Sequence, residues 1–430
     1  MGLSIADRVR EILHNIGLAR HPEIFAADTF LFQHGPPPLA APPGSRAYTV
    51  AREFESEFVA AISNDEDLRQ FAEPPTEHGL LVYASTGEGW RVQPNGLAAE
   101  LVTHAAVRVL MTGQRTDTPA PLLAEIANAL DEFRRLVRGE SGTAYALTGF
   151  ESVRPAGDRP VLTPWGELRE TREFERAIQP FGPVEATAVL ETPVPLTLTV
   201  GEQPPMQTIT ETMRRASEAG GRMSLVLVLA TWPLRESARV IGDAIWRTTI
   251  VPAYPGAAYT GRLLRPRFHR SPQHLPPALT QEQVREIEKW AHIVNDRYNA
   301  SIDIAARRTV SAIRERLDRE DAIIDAVVAW ENLFGHSEAT TEVTFRVTTA
   351  IARLLETEPA ARRDLSRSLK QIYGVRSRVV HGLPTRETDR LDERSELATA
   401  VTVRCLRTLF EHRTDLLADR DRAMRLLLED

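Results

Sequence analysis

The sequence predicts an α+β N-terminal region with an antiparallel sheet, followed by an all-α helical bundle. Three observations predict it. Segments rich in Thr, Val and aromatics, broken by prolines and glycines, lie between residues 143 and 200. From Thr280 onward the apolar residues recur at helical spacing and no strand pattern follows. Proline-rich residues 265–279 separate the two textures. A chain of 430 residues has room for two or three domains. A division at 265/266 gives a mixed α+β region, 1–265, of unassigned role for which sensing or regulation is one option, and a helical region, 266–430, with its core at about 300–415.

The N-terminal region opens with an amphipathic pattern over 3–18, where Ile5, Val9, Ile12, Leu13 and Ile16 share one helix face. Pro36-Pro37-Pro38 through Pro42-Pro43-Gly44 reads as an extended surface loop. Helices are predicted over 50–70, 97–112 and 121–139, the last with Pro119 and Pro121 at its entry. Leu80–Tyr83 reads as a short strand, as do Thr143–Val153, Val161–Leu168, Ala186–Val200 and Ser224–Trp232. Leu162–Leu168 should contain a tight turn beside a packed Trp165. His269 and His274 have no third ligand nearby and read as loop histidines.

In the C-terminal region Thr280 and Gln283 are spaced as a capping box. Helices are predicted over 281–300, 302–317, 320–335, 341–356, 363–381, 388–413 and 418–428.

Composition narrows the function. The chain is 42% hydrophobic and carries a net charge of −7. A mildly acidic surface argues against indiscriminate coating of nucleic acid and leaves room for a local basic patch. One cysteine, Cys405, excludes an intrachain disulfide framework and fits a reducing cytoplasm. No signal-peptide, myristoylation or membrane-spanning pattern is present, so a soluble cytoplasmic protein without membrane contact is expected. No phosphate-binding glycine loop, zinc-helix motif or nucleophile elbow occurs, and no cofactor or metal is expected.

The most concentrated chemistry lies in Ile372–Gly382. Leu365, Leu369, Ile372, Arg376, Val379 and Val380 make one stripe, so Arg376 stands where a core hydrophobe belongs. An unpaired buried guanidinium would cost several kcal/mol, so Arg376 needs a partner, a wet cleft or an interface. Glu331 interrupts the Ile324, Val327, Phe334 stripe in the same way. The two can pair across neighbouring helices, and such a pair has two readings: a salt bridge that holds the bundle, or part of a site. Ser377 and His381 share a face, whereas Arg376 and His381 are about 140° apart around an ideal helix. Gly382 and Pro384 predict that the helix stops at His381.

Arginine with histidine is a minimal kit for cleaving RNA without a metal. Imidazoles exchange protons near neutral pH, and a guanidinium grips a phosphodiester bidentately. Ser377 could orient either group. One histidine per chain supplies one proton-transfer group, so a homodimer would more easily furnish both acid and base. Arg378, Arg386 and Arg390 are near enough in sequence to form a basic patch for RNA, or a solvated charge run.

Arg376-Ser377-Arg378-Val379-Val380-His381 resembles the Arg-polar-x3-His motif of HEPN domains. The wider context resembles the ApeA-like branch: Asp321 through Phe334, Thr344–Val347, Ile372-Tyr373 and Val380-His381-Gly382, over about 300–415. The resemblance implies a HEPN-like helical bundle that dimerises and acts as a metal-independent endoribonuclease in prokaryotic anti-phage defence, abortive infection or toxin systems. It places the catalytic pair on Arg376 and His381, with Ser377 and Glu331 in support. Trp330 departs from the smaller aliphatic residue of the family. Some members are non-catalytic RNA-binding or protein-interaction modules, and that alternative stands. Nothing similar attaches to 1–265, which by analogy would bind a trigger or regulator.

Overall fold

The computed structural model describes residues 63–72, 80–85, 89–92, 120–151, 153–155, 159–171, 187–201, 206–232, 243–244, 249–251, 277–316, 318–335, 343–384 and 390–428. The helices expected over 3–18 and 97–112, most of that over 50–70, the proline-rich 35–44, His269, His274 and Arg386 lie outside the described residues. The chain divides into two compact units, one of 1–150, 165–220 and 244–272, the other of 151–164, 221–243 and 273–430.

The first unit holds α1 (Arg69–Ala72), β1 (Leu80–Ala84), β2 (Gly89–Val92), α2 (Ala120–Val137) and β3 (Gly142–Glu151). The expected antiparallel sheet is present. A three-stranded sheet runs β2-β1-β7, where β7 is Leu198–Val200, with both neighbours antiparallel to β1. In a second sheet β3 pairs antiparallel with β6 (Ala188–Leu196), from Gly142 opposite Leu196 to Phe150 opposite Ala188. The outer side of β6 pairs with β5 (Gly166–Glu170) only at 188–191. Pro193 and Pro195, which have no N–H to donate, fall beyond that stretch, where β5 asks nothing of them. Gly166 has φ +141, and a Cβ there would lie 2.0 Å from the Glu191 carbonyl oxygen, so the turn before β5 admits only glycine.

Helix α3 (Met206–Thr231) corrects one expectation. Ser224–Trp232 is not a strand: residues 224–231 are the last turns of this helix. Leu225, Val226, Leu227, Val228 and Leu229 are all buried, with at most 1% exposure. A helix turn enclosed on every side is apolar on every side, so periodicity cannot separate it from a buried strand.

The second unit includes β4 (Val161–Thr163) and a series of helices. These are α4 (Gln281–Arg297), α5 (Asp303–Val310), α6 (Arg319–Phe334), α7 (Val343–Leu355), α8 (Pro359–Val380), α9 (Leu391–Glu411), α10 (Thr414–Leu417) and α11 (Arg422–Leu428). The capping box forms: Thr280 Oγ1 accepts from Gln283 N–H at 3.2 Å, and Gln283 Oε1 accepts from Thr280 N–H at 2.8 Å. α8 begins four residues before the predicted start because Pro359 sits in its first turn, where a missing N–H costs nothing. The expected helix over 302–317 is α5 followed by one π-helical turn, Ser311–Glu315. No helix among the described residues is long and apolar enough to cross a membrane.

α6 is the centre of this unit and packs against α5, α7, α8 and α9. Arg319 near its start meets Asp392 near the start of α9, and Trp330 Nε1 donates to Thr402 Oγ1 at 2.8 Å, so α6 and α9 run parallel. Arg422 is 2% exposed and donates to the carbonyls of Leu333, Leu416 and Leu417, fastening α11 to the ends of α6 and α10.

Asp325, 1% exposed on α6, accepts from Arg308 Nη1 at 2.7 Å, Ser311 Oγ at 2.8 Å and Arg316 Nε at 2.6 Å. The π turn brings Ser311 and Arg316 to it. Burial pushes its carboxyl up, but the three donors outweigh burial and leave it below the ordinary carboxylate value. A depressed carboxyl gives stability that is present above its unfolded value of about 4 and lost as pH falls through the folded one. Asp325→Ala is therefore expected to lower unfolding stability by about 3 kcal/mol at pH 7. Urea titrations of wild type and variant should converge as pH drops below about 4.

Candidate functional site

The helices bring Glu331, Tyr373 and Arg376 together and set Ser377 and His381 on the other side of α8. Arg376 Nη2 lies 3.7 Å from Glu331 Oε2, and each side chain keeps 31% of its surface. The expected pair exists, but it is half-buried and too long for a hydrogen bond. Arg376 Nε is buried and has no acceptor among the described residues.

Tyr373 is the member sequence reasoning gave no role. It is 7% exposed, and its ring packs against Trp330 at 6.1 Å between centroids. Its hydroxyl is buried and has no hydrogen-bond partner among the described residues. Burial, and then the Glu331 charge, push that hydroxyl well above the ordinary tyrosine value, while Arg376 pulls the other way. A buried donor left unpaired costs about 1–3 kcal/mol. The signal available in sequence was the spacing: Tyr373 and Arg376 are three apart and share a helix side.

The end of α8 is built as predicted. His381 is the C-cap, and its N–H donates to Ser377 O at 3.1 Å. Gly382 follows at φ +66, a left-handed conformation that glycine takes without strain. Gly382 N–H donates to Val379 O at 3.0 Å and Leu383 N–H to Arg378 O at 2.9 Å. These two bonds make a Schellman motif, which satisfies the last carbonyls and fixes the backbone that carries His381. The histidine is exposed, as is Ser377. Val380, expected on the inward stripe, is instead 52% exposed. Leu383 is 55% exposed on the other side of the histidine.

No hydrogen bond joins Arg376 to His381 among the described residues. Their separation follows from the five-residue spacing. Arg378 is half-buried on the same helix. Arg390 lies on a different element: it precedes α9 with φ +46, strained for a residue with a side chain, and its Nη1 meets Glu393 Oε2 at 3.0 Å. Cys405 is fully buried on α9, and burial pushes its thiol up, which suits a core residue and not a nucleophile.

Compared with protein-family models, with curated protein sequences and with solved structures, the chain shows no significant match. The chemistry of the site therefore rests on its own residues. A guanidinium Nε and a phenol without partners among the described residues, beside a carboxylate 3.7 Å away, make a place where an oxyanion would be better held than the present partners hold one another.

An exposed or half-exposed pair at 3.7 Å contributes less than about 1 kcal/mol. Glu331→Gln is accordingly expected to change the urea midpoint by that amount or less. A loss of several kcal/mol would show that the pair is a structural bridge.

Proposed function

We propose that the chain is a metal-independent endoribonuclease of the HEPN type, active as a homodimer. The observation that carries this reading is Arg376: its carboxylate partner stands 3.7 Å away, its Nε has no acceptor among the described residues, and its helix ends in a capped, exposed histidine. The helical second unit around α6 is the HEPN-like bundle of this reading. Arg376 grips the scissile phosphate and stabilises the charge that builds there. A histidine removes the proton of the 2′-hydroxyl, whose oxygen attacks phosphorus. The bond from phosphorus to the 5′-oxygen breaks, and that oxygen receives a proton from a second acid.

His381 supplies one of these proton transfers and the histidine of a second copy the other. Exposed Val380 and Leu383 flank His381, and a second copy seated there would cover apolar surface that a lone chain leaves in water. Ser377, exposed one turn before His381, orients the histidine or the phosphate. Glu331 supports Arg376 in the absence of RNA. Arg378, Arg386 and Arg390 add backbone contacts. The single cysteine fits a cytoplasmic setting for this activity, and the resemblance places it in prokaryotic defence or a toxin-like system, with 1–265 binding the trigger or regulator.

The test is cleavage of unmodified RNA in the presence of a chelator, followed by gel electrophoresis. Wild type should cut. His381→Ala should slow cleavage by about 10²–10⁴-fold and Arg376→Ala by about 10²–10³-fold, with dimerisation kept. Equal cutting by both variants would end the ribonuclease reading. Undetectable cleavage with salt-sensitive RNA binding would make the chain an RNA-binding HEPN module instead.

A further inference from the structure

The outward side of α8 has the composition and spacing of a nucleic-acid track. Arg363, Arg367, Lys370, Gly374, Ser377 and His381 recur at intervals of four and three, so they line one helix side. All but Gly374 are exposed, while Leu369, Ile372, Tyr373 and Val375 on the opposite side are buried. The stripe runs about 27 Å and ends at the capped histidine. α8 as a whole carries six basic side chains and one acidic, in a chain of net charge −7. The single acid, Asp364, pairs with Arg367 at 2.9 Å with both side chains exposed, a contact weak enough for a phosphate to replace.

Two further features point to a ligand. Phe345 on α7 is 53% exposed, and Lys370 Nζ stands 5.3 Å from its ring centre, so an aromatic face and a cation sit together beside the stripe. Gly374 interrupts the stripe in mid-helix, where glycine costs stability relative to alanine. Among the described residues no close contact requires it: a Cβ there would meet only Arg378 Nη1, at an ordinary 3.9 Å. A missing side chain between Lys370 and Ser377 leaves the helix backbone open to close approach.

We propose that this side of α8 binds single-stranded RNA and leads it to His381. The proposal rests on the ribonuclease reading and names its substrate class. Cations along the stripe take the phosphates, Phe345 stacks on an unpaired base, and the strand passes closest at Gly374. A duplex keeps its bases stacked on one another and has none to offer Phe345.

The experiment measures fluorescence anisotropy of a labelled single-stranded 2′-O-methyl RNA, which has no attacking hydroxyl, with the full-length chain at several salt concentrations. Wild type should bind it more tightly than a duplex of the same sequence. Phe345→Leu should weaken binding about tenfold. Lys370→Ala should weaken it and reduce the slope of log affinity against log salt by about 0.7. Gly374→Ala should raise Tm yet weaken binding, two effects that a merely structural glycine would not combine. Variants that bind like wild type, a duplex bound as tightly as the single strand, or a wild type that binds neither would overturn the track. Cleavage of unmodified RNA is scored separately. Cutting by wild type with KM unchanged in all three variants sinks the track and leaves the ribonuclease. Variant-sensitive binding without any cutting sinks the ribonuclease and leaves the track.

Discussion

Helix α6 is enclosed by α5, α7, α8 and α9, so each polar atom it carries inward has to be answered by another segment. Asp325 is answered fully, by Arg308, Ser311 and Arg316. Trp330 is answered by Thr402. Glu331 is answered only at a distance, by an arginine whose own Nε has no acceptor among the described residues. Asp325, Trp330 and Glu331 thus make two saturated contacts and one unsaturated one. The unsaturated contact lies beside the helix that carries His381, and that difference is what separates a candidate site from the bundle's ordinary polar joints.

α8 has two characters because its two sides face different surroundings. Inward it supplies Leu369, Ile372 and Val375 to the core, together with Tyr373 and Arg376. Outward it is a row of cations with a bare glycine among them. Arg376 and His381 belong to opposite characters, so a phosphate reached by both must lie near the helix end, where the sides converge.

Much of this was legible from the chain. Charged residues breaking the apolar stripes at 331 and 376 announced their meeting, and Gly382 with Pro384 announced the stop at His381. Thr280 and Gln283 announced the cap of α4. What was not legible needed packing to reveal it. Leu225–Leu229 gave a continuous apolar run with no period to read, since every side of that turn is covered. The Asp325 cluster joins α6 to residues up to 17 positions earlier through a π turn that no local propensity marks. Val380 reads as a core residue from its place on the stripe, and its exposure at the last turn of α8 is a matter of packing. That the Tyr373 hydroxyl has no partner among the described residues depends on what packs around it, which the order of residues does not show.

The Schellman motif at Gly382 has a consequence for binding entropy. The backbone at His381 is held by three hydrogen bonds in succession, from the amides of His381, Gly382 and Leu383. Of the histidine's freedom only its side-chain rotations remain to be restricted when a ligand arrives. The cost of ordering that segment is met when the chain folds, and affinity at the helix end is preorganised instead of being won against a disordered loop.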